Sequence, residues 1–119
     1  MTSDGKYIEN IKKYSASVDT EALAAIVKHL GIALRSRDAM FVAGTDPSEL
    51  KRVRESWLKK KLALKQSDLE LDQAINTVID KMKADRMKER VTVYYLLAEH
   101  FHKLSDLKKH SPAPEKKIA

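Results

Sequence analysis

Apolar residues recur along this chain at the three- and four-residue spacing that marks one face of an amphipathic helix. The spacing predicts a first helix over about residues 6–15 and a second over about residues 20–30. For the second helix, Asp19 stands where an N-cap is expected and Gly31 stands where a helix commonly ends. The apolar positions between them are Leu23, Ile26, Val27 and Leu30.

Two further helices are predicted from their start signals. A capping box places a capping side chain three residues before a glutamate, and both segments show this spacing. Asp46 precedes Pro47 and Glu49, and Ser67 precedes Glu70. Proline is favoured in the first helical turn, where its missing N–H costs nothing. We expect these helices to extend to about positions 62 and 84.

A last and longer helix is predicted over about residues 86–107. Its apolar residues spread nearly all round the helix, and such a helix is usually buried on most sides. We therefore expect an all-α fold, a compact bundle of five or six helices with this C-terminal helix at its centre. Whether it is continuous with the preceding helix or separated near Asp85 stays open. The main stripe is Val91, Tyr94, Leu97, Ala98, Phe101 and Leu104.

The chain has 119 residues, which fits one domain. We assign residues 1–107 to a single helical domain and residues 108–119 to a flexible basic tail, because the tail lacks apolar periodicity. The longest nearly uncharged apolar run, 91–98, is far shorter than the ~20 residues of a membrane span. The start of the chain also lacks the pattern of a signal peptide. These features predict a soluble, cytoplasmic protein that does not bind a membrane.

Composition excludes several classes of chemistry. The chain contains no cysteine, which rules out disulfides, thiolate zinc sites, iron–sulfur clusters and cysteine nucleophiles. Glu99 and His102 have the i, i+3 spacing of a carboxylate-bridged metal site, but the sequence offers no second copy of that pair. No serine or threonine has a base at a recognisable spacing, and there is no glycine-rich phosphate loop. We expect no cofactor, no metal and no catalytic residue.

Charge is distributed in blocks within a net charge of +6. Residues 46–66 carry seven bases and three acids, residues 67–80 carry four acids and no base, and residues 81–90 carry five bases and two acids. One interpretation is a phosphate-binding surface; the other is a set of solvated helix faces partly paired across neighbouring helices. The candidate phosphate or nucleic-acid contacts are Lys59, Lys60, Lys61, Lys81, Lys83, Arg86, Lys88 and Arg90.

One polar cluster lies in residues 32–43, where no clear period appears. This segment is compatible with a short helix or with an irregular loop. Arg35, Arg37 and Asp38 are its charged residues, and arginines in irregular segments can clamp a carboxylate or phosphate. They can equally cap the preceding helix or pair with the acids of residues 67–80. An enzyme with an unrecognised site near this cluster and His29 is one hypothesis about function.

Three stretches resemble a known family: AIVKHLGIALRSRD at 25–38, VAGTDP at 42–47 and YYLLAEHF at 94–101. The family is that of short bacterial proteins known as domain of unknown function 2853, and the likeness covers about residues 6–104. The resemblance implies a bacterial, compact helical domain. It implies no activity, substrate or catalytic residue.

Two other functional hypotheses follow from the residues. The first is a non-enzymatic interaction module that binds a protein partner or associates with itself, because a complete helical scaffold carries no assembled chemistry. The second is a sequence-nonspecific nucleic-acid binder that uses blocks 51–65 and 81–90. Aromatic residues interleaved with the basic ones, which binding to single strands favours, are missing from these blocks.

Overall fold

A computed structural model describes residues 4–35 and 39–109 of the chain. Six α-helices form most of this part, and the predicted all-α bundle is confirmed. No helix in these ranges is long and apolar enough to cross a membrane. The α-helices are α1 (Asp4–Lys12), α2 (Thr20–Leu30), α3 (Pro47–Arg52), α4 (Asp68–Lys81), α5 (Arg90–His100) and α6 (Leu104–Lys109).

Three kinds of shorter element connect the helices. A 3₁₀-helix, Gly31–Arg35, follows α2, and a nine-residue π-helix, Val53–Lys61, continues α3 without a break. Strands β1 (Phe41–Val42) and β2 (Lys88–Glu89) pair antiparallel, with Phe41 opposite Glu89. The segment that lacked a period thus contains a 3₁₀-helix and a strand.

The predicted starts of α2, α3 and α4 are confirmed at the level of individual hydrogen bonds. The capping box predicted at Asp46 and Glu49 is wrong, because the Asp46 side chain accepts from the Ser48 amide at 2.9 Å and the Glu49 carboxylate pairs with Arg90. The Asp19 side chain accepts a hydrogen bond from the Ala22 amide at 3.1 Å, and α2 ends at Gly31, which has a φ of 43°. At α4, Ser67 and Glu70 form the complete, reciprocal capping box. These bonds satisfy amide groups that have no partner within the helix.

The helix after α3 differs from the expected α-helix in its hydrogen-bond spacing. The Leu62 amide donates to the Trp57 carbonyl, five residues back, at 2.9 Å. The π-helix buries Val53, Trp57 and Leu58. The Trp57 ring stacks on Tyr94 with 4.6 Å between ring centroids, and its Nε1–H donates to the Tyr94 carbonyl at 3.1 Å.

Helix α5 is the central element, as expected, and every residue from Arg90 to Ala98 is buried. It contacts α1, α2, α4, α6 and both strands. The predicted single helix over residues 86–107 is wrong in its extent, because α5 ends at His100. His102 has a φ of 60°, a value that non-glycine residues seldom adopt, and the chain turns there into α6.

The boundary between α4 and α5 is a turn and a strand. The Asp85 amide donates to the Met82 carbonyl at 2.9 Å, and β2 follows before α5 begins. The two helices are therefore separate. Of the predicted tail, residues 110–119 lie outside the described residues, and α6 includes Lys109.

Candidate functional site

A groove of about 360 Å³ runs between α3 and α4. The π-helix that continues α3 runs in the opposite direction to α4, because its Lys59 pairs with Asp68 near one end and its Arg54 pairs with Asp72 further along. The groove has an apolar floor and a polar rim. Its lining residues are Pro47, Leu50, Lys51, Arg54, Asp72, Ile75 and Asn76.

One half of the groove is electrostatically neutralised. Arg54 Nη1 donates to both carboxylate oxygens of Asp72, at 2.9 and 3.0 Å, and its Nε donates to Glu55 at 2.8 Å. Lys59 Nζ lies 2.6 Å from Asp68. Hydrogen bonds to these partners raise the pKa values of Arg54 and Lys59, and the bond to Lys59 lowers the pKa of Asp68.

The other half of the groove is lined by Lys51, which is exposed on α3. Asp80, which does not line the groove, is exposed further along α4. Neither side chain makes an ion pair within the described ranges. Asp80 is four residues beyond Asn76, so both lie on one face of α4. Leu69, the most exposed of the large apolar side chains the structure describes, lies on the same face with 67% of its area accessible.

The two basic blocks lie at opposite ends of α4. An α-helix rises about 1.5 Å per residue, so the ends of this 14-residue helix are about 20 Å apart. At the first end Lys60, Lys61 and Lys65 make no ion pair with any described residue. At the far end Lys81, Lys83 and Arg86 are exposed and likewise make no ion pair in the described chain. The structure therefore does not join the predicted contacts into one surface.

Two residues of these blocks are engaged inside the fold. Arg90 is buried, with 5% of its area exposed, and its guanidinium pairs with Glu49 and donates to the carbonyls of Ala39 and Phe41. Its prediction as a phosphate contact is wrong, because the cation is buried and already bonded within the protein. Lys88 Nζ donates to the Asp85 carbonyl at 2.9 Å.

The predicted cluster around Arg35 is only partly described. Arg35 is exposed at the end of the 3₁₀-helix, while Arg37 and Asp38 lie outside the described residues. The His29 ring packs against Trp57 at 5.2 Å. Desolvation, followed by the charge of Lys61, lowers the pKa of His29.

A polar cluster that the sequence did not predict ties α1 to the turn after α4. Asp85 accepts hydrogen bonds from Tyr14 at 2.5 Å, from Lys13 at 3.1 Å and from Asn10 at 3.4 Å, and Thr92 donates to Asn10. Burial and the bond to Asp85 raise the pKa of Tyr14 to about 12. The bond from Tyr14 is the main reason that the pKa of Asp85 is lowered. The cluster joins elements that are distant in the sequence.

Glu89, the N-cap residue of α5, is the remaining unusual group. Its Oε1 is buried and has no hydrogen-bond partner among the described residues, and burial is the main cause of its raised pKa. Neighbouring charges come from Lys6, Asp85 and Lys13. No group of three histidine, aspartate or glutamate side chains in ranges 4–35 and 39–109 could hold a metal ion.

Comparison with known proteins gives a family match without an activity. A family model described as a protein of unknown function, DUF2853, matches residues 6–105. No curated protein matches the sequence.

Proposed function

Because the chain belongs to the DUF2853 family of proteins of unknown function, we propose from its surface that it is a non-enzymatic interaction module whose docking site is the groove between α3 and α4. The groove carries this proposal because it combines an apolar floor with polar groups that have no described partner. Binding sites of proteins share that composition.

Two features of the groove favour a protein as its ligand. Leu50 is half-buried and Ile75 buried beneath the polar rim, so a ligand side chain would meet apolar surface at the centre. Lys51 and Asn76 border this floor and offer hydrogen-bond donors. An apolar centre with a polar rim is the usual anatomy of a protein–protein interface.

The experiment compares capture by three forms of the full chain from nuclease-treated lysate. Asn76→Arg places a long side chain in the groove, whereas Gln73→Arg makes the same kind of change at an exposed position one helical turn earlier that does not line the groove. We expect defined proteins, identified by mass spectrometry, to bind the wild type and Gln73→Arg but not Asn76→Arg. Capture that is equal for all three forms would refute the groove as the docking site.

Nucleic-acid binding is a second candidate, favoured by the cations that remain unpaired. The patch consists of residues at the end of the π-helix and in the loop after it, namely Lys60, Lys61 and Lys65. The positive charge of Lys61 also contributes to the lowered pKa of His29. Such a patch attracts phosphates without reading a sequence. It lies at one end of the molecule and is smaller than the surface expected from the sequence.

Salt dependence tests this candidate. The logarithm of the binding constant should fall with the logarithm of salt concentration, with a slope of about −0.9 for each duplex phosphate contacted. Replacing Lys60, Lys61 and Lys65 with glutamine should flatten that slope, whereas replacing Lys12 should leave it unchanged. Absence of binding at low salt would eliminate the candidate.

A further inference from the structure

We infer that the occupant of this groove is an acidic peptide segment of another protein, which places an aliphatic side chain on the groove floor and a neighbouring carboxylate on Lys51. The inference rests on the proposed function, since it uses the same groove and names the chemistry of its partner.

The groove is short and is closed by an ion pair at one end. Its lining residues lie at positions 47, 50, 51 and 54 on one wall and at 72, 75 and 76 on α4, and these spacings place each set on one helical face. Arg54 is the last of the first set and Asp72 the first of the second, and they pair across the groove at 2.9 Å. The volume of about 360 Å³ is that of a small ligand pocket, which suits a few side chains of a peptide.

The charges of the lining leave one cation over. The lining contains two cations, Lys51 and Arg54, and one carboxylate, that of Asp72. Arg54 Nη1 donates to both oxygens of Asp72, so these two charges neutralise each other. Lys51 is exposed and makes no hydrogen bond or ion pair with any residue that the structure describes. The groove therefore presents one positive charge that the described chain does not neutralise.

The carboxylates closest to Lys51 in the sequence are bound to other cations. Glu49 and Glu55 are the two acids of α3 and the π-helix, and each pairs with two described cations other than Lys51. Among the acids of α4, Asp72 is the one that lines the groove. A carboxylate supplied by a partner is therefore the charge complementary to this surface.

The floor and the opposite wall define the rest of the partner. Leu50 is half-buried and Ile75 buried, so an aliphatic side chain would meet apolar surface there. Leu50 and Lys51 are consecutive, and a ligand that meets both must carry its carboxylate close to its aliphatic side chain. Asn76 is exposed on the wall formed by α4, and its amide can donate to and accept from a peptide backbone.

The expected binding is weak and sensitive to salt. A pair between exposed charges changes affinity by less than about fivefold, and dissolved ions screen it. The acidic residue therefore selects the partner, while contact with the apolar floor supplies the rest of the affinity.

Selection from a library of random peptides tests the inference. The library is displayed on phage and selected on the immobilised full chain at low ionic strength. Peptides that also bind Asn76→Tyr, which fills the groove without changing its charge, are discarded. We expect the retained sequences to be enriched in an aspartate or glutamate close to a leucine, isoleucine or valine. Retention of neutral or basic sequences, or of none, would overturn the inference.

Charge reversal at Lys51 identifies the residue that recognises the acid. In fluorescence anisotropy a retained peptide should bind Lys51→Glu about tenfold more weakly than the wild type, because an attraction becomes a repulsion. Lys51→Arg keeps the charge and should change the affinity little. On the same library Lys51→Glu should select basic residues in place of acidic ones. Circular dichroism verifies that each variant folds.

The matched control is Lys12→Glu on α1. It makes the same charge change at an exposed position that does not line the groove, and it should bind the retained peptide like the wild type. Equal weakening by Lys12→Glu and Lys51→Glu would show that net charge, and not the groove, attracts the peptide, and this result would also overturn the inference.

The two proposals can fail separately. If no acidic peptide is retained but Asn76→Arg still loses a captured protein, the interaction module stands with a different occupant, such as a basic segment or a second copy of the chain. If capture also fails to depend on the groove, both proposals are wrong.

Discussion

The guanidinium of Arg90 and the carboxylate of Glu49 form an ion pair in the interior, between residues 41 positions apart in the chain. The side chains are only 6% and 11% exposed. The pair connects the first turn of α5 to α3, and the arginine also donates hydrogen bonds to the carbonyl groups of Ala39 and Phe41. This contact fixes the start of the central helix against the element that forms one wall of the groove.

Removal of one partner should destabilise the fold strongly. Glu49→Ala leaves a buried guanidinium without its counterion, and we expect a loss of about 3–5 kcal/mol in the free energy of unfolding. Arg52→Ala is the control, because Arg52 pairs with the same carboxylate at 3.3 Å from an exposed position. That change should cost less than about 1 kcal/mol. Urea denaturation measures both, and equal losses would contradict the assignment.

Close packing at Gly44 makes a second prediction. A Cβ at this position would lie 2.9 Å from Ile79 Cγ2, so Gly44→Ala should destabilise the fold by about 1–3 kcal/mol. Adding Ile79→Ala should remove the clash and make the double variant less unstable than the sum of the single losses. Gly5→Ala has free space around it, and this control should stabilise α1 by about 0.5–1 kcal/mol. Thermal denaturation distinguishes these outcomes.

Two aromatic residues, Trp57 and Phe101, should contribute different amounts to the free energy of unfolding. Trp57 is fully buried, whereas Phe101 is partly exposed where α5 ends. Trp57→Ala should cost about 3–5 kcal/mol, and Phe101→Ala should cost clearly less because less of its area leaves water. Circular dichroism in urea gives both values. A larger loss at Phe101 would mean that the end of α5 is packed differently from the structure.

The Tyr14–Asp85 hydrogen bond predicts two pH limits of stability. The pKa of Tyr14 is raised from 10.0 to about 12, so its contribution is complete below pH 10 and is lost as pH rises through 12. The pKa of Asp85 is below its ordinary 3.8, so its contribution is present above that pH and is lost as pH falls through the lowered value.

Tyr14→Phe should reduce the loss of stability at high pH and also the loss at low pH. Adding Asp85→Asn to this variant should change the free energy of unfolding little further. Unfolding free energies measured across the pH range give the result. Additive effects of the two substitutions would show that the side chains do not act on each other.

Glu89 should have the opposite effect from Asp85. Burial raises the pKa of Glu89 above 4.5, so ionisation is unfavourable in the folded state, and stability should fall as pH rises through the interval above 4.5. Glu89→Gln should therefore be more stable than the wild type at neutral pH, with the difference vanishing below pH 4.5. Glu9→Gln, at an exposed site, should show no such pH dependence in the same denaturation series.

Sequence signals predicted those parts of the fold that depend on neighbours in the chain. The capping box at Ser67 and the aspartate at Asp19 fixed two helix starts, because each bond spans three residues. The π-helix escaped prediction because buried positions at Val53 and Trp57 also fit an α-helix. The end of α5 escaped because the apolar period continues past His102.

The candidate site was less predictable because its partners are distant in the sequence. A count of charges identifies a basic block, but it cannot show that Arg90 is buried or that Arg54 and Lys59 are already paired. Those facts depend on how α5 packs against α3 and on how the π-helix packs against α4. The groove itself arises only from the packing of two helices.

The single tryptophan gives the molecule an internal optical reporter. Because Trp57 is the only tryptophan in the chain, all tryptophan fluorescence comes from one residue, which lies where α2, the π-helix and α5 meet. Its ring packs against the ring of His29 and against that of Tyr94, so its fluorescence yield responds to both the imidazole and the phenol. An emission maximum at short wavelength therefore indicates that Trp57 is buried in the core, and a red shift indicates that it has become exposed to water.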